Sequence, residues 1–252
     1  MSEAMLAARG ITRRFGGLVA VNDVSLDLHR GTVHAVIGTN GAGKSTLINI
    51  LSGELLASEG QVLMEGQDVT AWPQPQRARH GLGRSYQRST IFPELSVFEN
   101  CRLAAQADNP RFWHWWRHAN DCKPSRDRAY HALERTGLEG RASTPAGLLP
   151  HGHKRQLEIA MCLAGHPQVL LLDEPLAGMG AEETERILTL LQDLKAEHAI
   201  LLVEHDMDAV FGNADIITVM VNGSVIACGN PVDIRANPQV QSAYLGDGTC
   251  TH

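Results

Sequence analysis

Glycines, a lysine and hydroxyl side chains recur at a spacing suited to holding phosphate in Gly38-Thr39-Asn40-Gly41-Ala42-Gly43-Lys44-Ser45, followed by Thr46. The stretch fits G-x-x-x-x-G-K-[ST], whose backbone N–H groups wrap phosphate oxygens. In that pattern Gly38 to Thr46 form the cradle, Lys44 reaches the β- and γ-phosphates, and the Ser45 hydroxyl binds Mg²⁺. A glycine-rich turn can be only a turn, so the flanks matter. The apolar run Thr32 to Ile37 precedes it, and a helical pattern with Leu47, Ile48 and Leu51 on one side follows. A helix N-terminus adds its partial positive charge to the cradle. The expected ligand is ATP or GTP with Mg²⁺.

Two further constellations end apolar runs. Leu170-Leu-Leu-Asp173-Glu174-Pro175 places a carboxylate where a buried strand stops. Mg²⁺ would offset the burial of Asp173, which is expected to bind it directly or through water. Glu174 is then placed to polarise the water that attacks the γ-phosphate. The run ending Val203-Glu204-His205-Asp206 is similar. The carboxyl ends of parallel strands line ligand crevices in α/β sheets. His205 is accordingly expected to donate to the γ-phosphate and position the water, although a lone histidine at a strand end is more often structural.

The elements that must position these groups read as an α/β chain. Strands are expected at Ala4 to Thr12, Leu18 to Leu28, Gly60 to Glu65, Val169 to Leu172 and Ala199 to Val203. Asn222-Gly223 between Ile216 to Val221 and Ser224 to Cys228 signals a hairpin. Helical spacing marks Leu95 to Ala107, Ser125 to Thr136, Lys154 to Leu163 and Ala181 to Glu197. The expected architecture is one nucleotide-binding domain over 1–252 with a mostly parallel core sheet. An antiparallel N-terminal β-subdomain, a helical subdomain inserted at about 88–165 and a helical tail at about 230–252 complete it.

Bulk properties agree. The 252 residues are 43 % hydrophobic with net charge −6, which argues against a nucleic-acid surface. Five cysteines without a C-x-x-C pair read as reduced thiols. With neither a signal-peptide layout nor an apolar run near the roughly 20 residues that span a bilayer, the chain is expected to be soluble and unanchored.

The order of phosphate loop, Gln87, the Leu149 to Gln156 segment, Asp173-Glu174 and His205 resembles the ATP-binding subunits of ABC transporters over essentially the whole chain. That resemblance implies that Gln87, in Gly83-Arg-Ser-Tyr-Gln87, binds Mg²⁺ and senses a permease, and that Phe15 stacks on adenine. Core packing is the other reading of Phe15. Four stretches resemble the importer subfamily for branched-chain amino acids and related amide or urea solutes: Arg14 to Asp23, Arg84 to Gln87, Asp173 to Gly178 and Val240 to Gly246. Implied partners are membrane permease subunits, a second ATP-binding subunit and, indirectly, a solute-binding protein, with no nucleic acid. The implied location is peripheral, on the cytoplasmic face of the bacterial inner membrane. A soluble ABC ATPase and a low-turnover regulator are the alternatives.

The chain also departs from that family. Where the signature reads Leu-Ser-Gly-Gly-Gln, it carries Leu149-Pro150-His151-Gly152-His153, and Pro150 has neither hydroxyl nor N–H to donate. In the family's head-to-tail dimer this segment caps the partner's nucleotide. The site it completes is therefore expected to hydrolyse more slowly than its twin, unless the subfamily simply tolerates variation there. Thr39 replaces a common proline, and Gly178-Met-Gly180 lacks a common aspartate. Arg111-Phe-Trp-His-Trp-Trp-Arg117 holds three of the four tryptophans and is expected either to form a permease interface or to pack on its own subdomain.

Overall fold

The computed structural model describes residues 4–87, 90–107 and 123–245; the tryptophan segment and the chain from 246 onward lie outside them. Alternation builds the first layer. Strands β1 (Leu6–Phe15) and β2 (Leu18–Leu28) pair antiparallel across Gly16-Gly17, with Phe15 opposite Leu18. Gly16 sits at φ 57°, a left-handed conformation glycine adopts without a steric cost. Strands β4 (Glu59–Met64) and β5 (Gln67–Asp68) extend the sheet in the order β2-β1-β4-β5. β1 runs past the expected Thr12 because the tight turn keeps Arg13, Arg14 and Phe15 paired with β2 after burial has ended.

The second sheet contains β3 (Val33–Gly38), β6 (Leu82–Arg84), β7 (Val169–Asp173), β8 (Ala199–Val203), β9 (Ile216–Val221) and β10 (Ser224–Gly229). Their order is β10-β9-β3-β8-β7-β6, parallel except for the terminal β9–β10 hairpin. Every residue of β3, β7 and β8 is buried, which is why these strands read as unbroken apolar runs. Asn222 and Gly223 both take positive φ, 48° and 82°, as the two central residues of a type I′ hairpin turn must.

Helix α1 (Lys44–Ser52) follows the phosphate loop, and α2 (Gln74–Arg79) leads into β6. Helices α3 (Val97–Ala107), α4 (Lys123–Arg135) and α5 (His151–Ala164) share a cluster of their own around Val97, Leu133, Leu138 and Leu157. Helix α6 (Ala181–Leu194) lays Ile187, Leu191 and Leu194 against the core sheet. Helices α7 (Met207–Asn213), α8 (Pro231–Ala236) and α9 (Pro238–Leu245) complete the fold.

The far end of α1 is held by a buried cation. The Arg77 side chain is fully buried and donates to the carbonyls of Ile50 (2.7 Å), Leu51 (2.8 Å), Thr70 (3.0 Å) and Trp72 (3.2 Å). Two of those carbonyls belong to the last turn of α1, where a cation also meets the negative end of the helix dipole. Burial pulls its pKa down to about 10, which leaves it charged at neutral pH. Gly53 is part of this joint, since a Cβ there would lie 2.8 Å from Arg77 Nε and from the Trp72 carbonyl. Replacing Arg77 by Leu removes a donor from each of these carbonyls, of which Ile50 keeps the Gly53 N–H at 3.1 Å, a loss only partly offset by removal of the charge. The expected destabilisation is about 3 kcal/mol, read from urea unfolding; a loss below about 1 kcal/mol contradicts this account.

Candidate active site

Register brings the candidate groups to one end of the parallel sheet. Val36 of β3 stands beside Val203 of β8, and Val203 stands beside Asp173 of β7. Gly38, Asp173 and the residues after Val203 therefore leave the sheet together, at the carboxyl ends where such sheets bind ligands.

The phosphate loop is braced from behind. A Cβ on Gly38 would lie 2.3 Å from the Met220 carbonyl, and one on Gly43 2.3 Å from the Ala20 carbonyl. Only glycine permits that approach, and Gly43 also has φ 98°. Gly223 of the β9–β10 turn donates its N–H to the Ala42 carbonyl at 3.1 Å, and Asn22 donates to the Gly223 carbonyl at 2.8 Å. The first turn of α1 has no capping side chain and no acidic residue. Its amide donors and positive dipole end are left for an anion.

Lys44 is buried, and its ammonium donates to the Gly38 carbonyl at 2.7 Å and the Thr39 carbonyl at 3.1 Å. Burial lowers its pKa, while Glu174 and Asp173 act in the opposite direction. Asp173 is buried, and burial raises its pKa more than Arg84 lowers it; Arg84 Nη2 lies 3.9 Å from Asp173 Oδ2. The same guanidinium bonds Asn49 and Ser52 of α1 and ion-pairs with Glu54 at 2.8 Å.

Glu174 occupies a left-handed backbone conformation, φ 47°, fixed by its N–H donating to the Val203 carbonyl at 2.9 Å. Gln87 Nε2 donates to Glu174 Oε2 at 3.0 Å, and His205 Nδ1 stands 3.9 Å from Glu174 Oε1. His205 is solvent-exposed. Ser45 and Gln87 are likewise exposed, with Thr46 half-buried beside them. Thr39, Asn40 and Gly41 form the outer rim of the loop, and Ala42 is buried beneath it. Phe15 lies at the β1–β2 turn, 45 % exposed, with the Arg13 guanidinium 4.6 Å above its ring. Exposure of that size leaves a ring face open for stacking and does not fit core packing.

Three supporting residues were not evident from the sequence. Glu204 is fully buried; it accepts from Leu176 N–H at 2.8 Å and from His205 N–H at 3.2 Å, tying together the loops that follow β7 and β8. Burial pushes its carboxyl pKa up. Arg155 of α5 donates to the Tyr86 and Gln87 carbonyls at 2.9 and 2.8 Å and pairs with Glu158 at 2.8 Å. Arg84 is the third. The adjacency of Glu204 to His205 at the end of an apolar run is the one signal that could have marked any of them.

Pro150 stands at the N-cap of α5 with no capping side chain, so the helix opens at His151, three residues before the expected Lys154. Proline preceding a first turn is compatible with a helix start because no N–H is needed there. Gly152 packs on α6, and a Cβ there would come 2.5 Å from the Glu183 carboxylate.

Known proteins resemble this chain in sequence and in fold. A family profile described as ABC transporter matches residues 21–177, and one described as Branched-chain amino acid ATP-binding cassette transporter matches 224–249. The chain is 39 % identical to the high-affinity branched-chain amino acid transport ATP-binding protein LivG of Escherichia coli (strain K12), over 98 % of this chain and 100 % of that protein. It is 38 % identical, with the same coverage, to BraF of Pseudomonas aeruginosa, whose description is the same. A crystal structure of an ATP-binding cassette of an ABC transporter in its ADP conformation superposes with a TM-score of 0.87 at 30 % identity, covering 97 % of this chain and 100 % of the other.

The Glu204 brace is testable. Glutamine can accept only one of the two N–H bonds and turns an NH₂ toward the other donor. Glu204→Gln is expected to lose about 2 kcal/mol of stability together with several-fold of ATP turnover; unchanged values for both would remove the brace from the account.

Proposed function

Because the chain belongs to the ABC transporter family of ATP-binding subunits, we propose that its ATPase activity powers import of branched-chain amino acids through a membrane permease. The hydrogen bond from Gln87 to Glu174 carries this reading. It joins the candidate base to the loop bordering a cleft of about 350 Å³, lined by Arg84, Ala104, Met161 and Cys162 among others. That cleft is the proposed seat of a permease segment. Engagement there would move Gln87 and so change the lone pairs Glu174 offers to water.

In the proposed reaction ATP lies with its phosphates on Gly38 to Thr46 and its adenine against Phe15. Lys44 exchanges its loop carbonyls for phosphate oxygens. Glu174 accepts hydrogen bonding from the attacking water and orients it. As the water oxygen bonds to the γ-phosphorus, the bond to the β-phosphate oxygen breaks, giving ADP and phosphate. His205 donates to the γ-phosphate during transfer. Ser45, Gln87 and Asp173 offer oxygen donors of the kind that suit Mg²⁺, and the burial that raises the Asp173 pKa is a cost that a bound cation would offset. Bound there, Mg²⁺ would neutralise developing phosphate charge.

The proposed assembly pairs this chain with a second ATP-binding subunit, a permease and, through the permease, a solute-binding protein. Peripheral attachment at the cytoplasmic membrane face fits a chain in which no described helix is long and apolar enough to cross a bilayer. The solute class is supported by the match of residues 224–249 and by the relatives' descriptions. One chain is proposed to form one nucleotide-binding domain with α3 to α5 as a helical subdomain and α8 and α9 as a tail. Pro150 and His151 are proposed to cap the partner's nucleotide less well than serine and glycine would.

Two measurements test this reading. In proteoliposomes holding the permease and both ATP-binding subunits, ATP is expected to drive leucine uptake. Glu174→Gln should retain ATP binding while losing about 100-fold in turnover. Equal basal rates would favour a low-turnover regulator, and ATPase activity without any uptake would favour a soluble ATPase. Separately, Pro150→Ser with His151→Gly should raise turnover several-fold in the assembled complex, and an unchanged rate removes the slow-site idea.

A further inference from the structure

The parallel sheet has a second end, opposite Gly38, Asp173 and His205. There the chain entering β3, β7 and β8 lines a crevice of about 380 Å³ with Arg30, Gln168 and His198. Helix α4 forms the facing wall. Arg128, His131 and Arg135 lie on it at i, i+3 and i+7, one side of a helix. His166, on the turn leaving α5, adds an imidazole from a backbone at φ 51°.

Four separate chain segments thus deliver guanidinium or imidazole groups to one concavity. Glu197 is the single acid among the described lining residues. Its carboxylate lies 3.1 Å from Arg135 Nη1 but remains 64 % exposed, a surface pair that water and a competing anion can readily exchange. Three arginines against one glutamate is not the average character of a chain with net charge −6. A concave site lined by one sign of charge concentrates the opposite ion. His198 is buried, and its Nδ1 donates to the Leu194 carbonyl at 2.8 Å. That bond leaves Nε2 as its remaining polar atom. Burial lowers the His198 pKa; the Leu194 carbonyl and Glu197 act against it, and Arg135 and Arg30 add to it. An oxyanion beside the arginines would add to the negative charge that Glu197 alone supplies among the described lining residues.

We propose that this crevice binds a small phosphorylated ligand, a phosphoryl dianion held by Arg30, Arg128 and Arg135. The volume leaves room for an organic group beyond the phosphate. The ligand would bridge the α3–α5 block and the core sheet, because α4 supplies one wall and the strand entrances the other. The site is distinct from the phosphate loop, and the proposal does not depend on which solute is carried.

The test uses the whole chain with its phosphate loop filled by Mg²⁺ and a non-hydrolysable ATP analogue. Titration with inorganic phosphate at low ionic strength is expected to show one binding event in the wild type. Arg30→Ala with Arg135→Ala should weaken it at least tenfold, while affinity for the analogue stays constant and certifies the fold. The exposed single change Arg30→Ala, expected to weaken binding about threefold, serves if the double variant does not fold. Flotation with phosphatidylglycerol vesicles separates the sources: phosphate binding without flotation supports a soluble ligand, and flotation lost in the variant supports a lipid headgroup. Absence of both events, or events unchanged by the substitutions, overturns the proposal.

Discussion

One ammonium and two carboxylates, all partly withdrawn from water, meet at a single end of the parallel sheet. Lys44 is bonded to carbonyls of its own loop, and Asp173 has an arginine at 3.9 Å. Charges so placed are costly unless a partner arrives. The rest of the architecture keeps them from relaxing. Glycines 38 and 43 press the loop against β9 and β2, the β9–β10 turn bonds its back, and Arg77 and Arg84 anchor the far end of α1. A polyphosphate and a divalent cation supply complementary charges, so binding relieves what folding imposes. Such preorganised polarity is what phosphoryl transfer requires.

Much of this frame is legible in the residues. Strands β2 and β8 lie where the alternating and the unbroken apolar runs put them, and Asn222-Gly223 makes the turn its dipeptide announces. The phosphate loop and the carboxylate pair could be read because local chemistry dictates both: glycine where a Cβ would collide, acid where an apolar strand stops. Other elements left no such trace. β6 spans three residues with a glycine in the middle, too short for any period. α2 reads Gln-Pro-Gln-Arg-Ala-Arg, a polar string, yet its Arg77 is fully buried because carbonyls distant in sequence surround it.

The candidate site shows the same division. Lys44, Asp173, Glu174 and His205 announce themselves by type and neighbours. The contact between Gln87 and Glu174 spans 87 positions, and Arg155 grips the Gln87 loop from 68 positions away. No periodicity encodes such pairs; only folding brings them together. The basic crevice is the extreme case, since its charges come from four segments, none of them conspicuous alone.

Gly152 has a mechanical corollary. A Cβ there would lie 2.5 Å from the Glu183 carboxylate, so the opening turns of α5 and α6 meet through the tip of one flexible side chain. Glycine leaves that carboxylate room to lie across the joint, and its rotation lets one turn shift without dragging the other. Since α6 begins just beyond Gly178, on the stretch leading from Glu174, this compliant joint lies between the Pro150 end of α5 and the loop that carries Glu174.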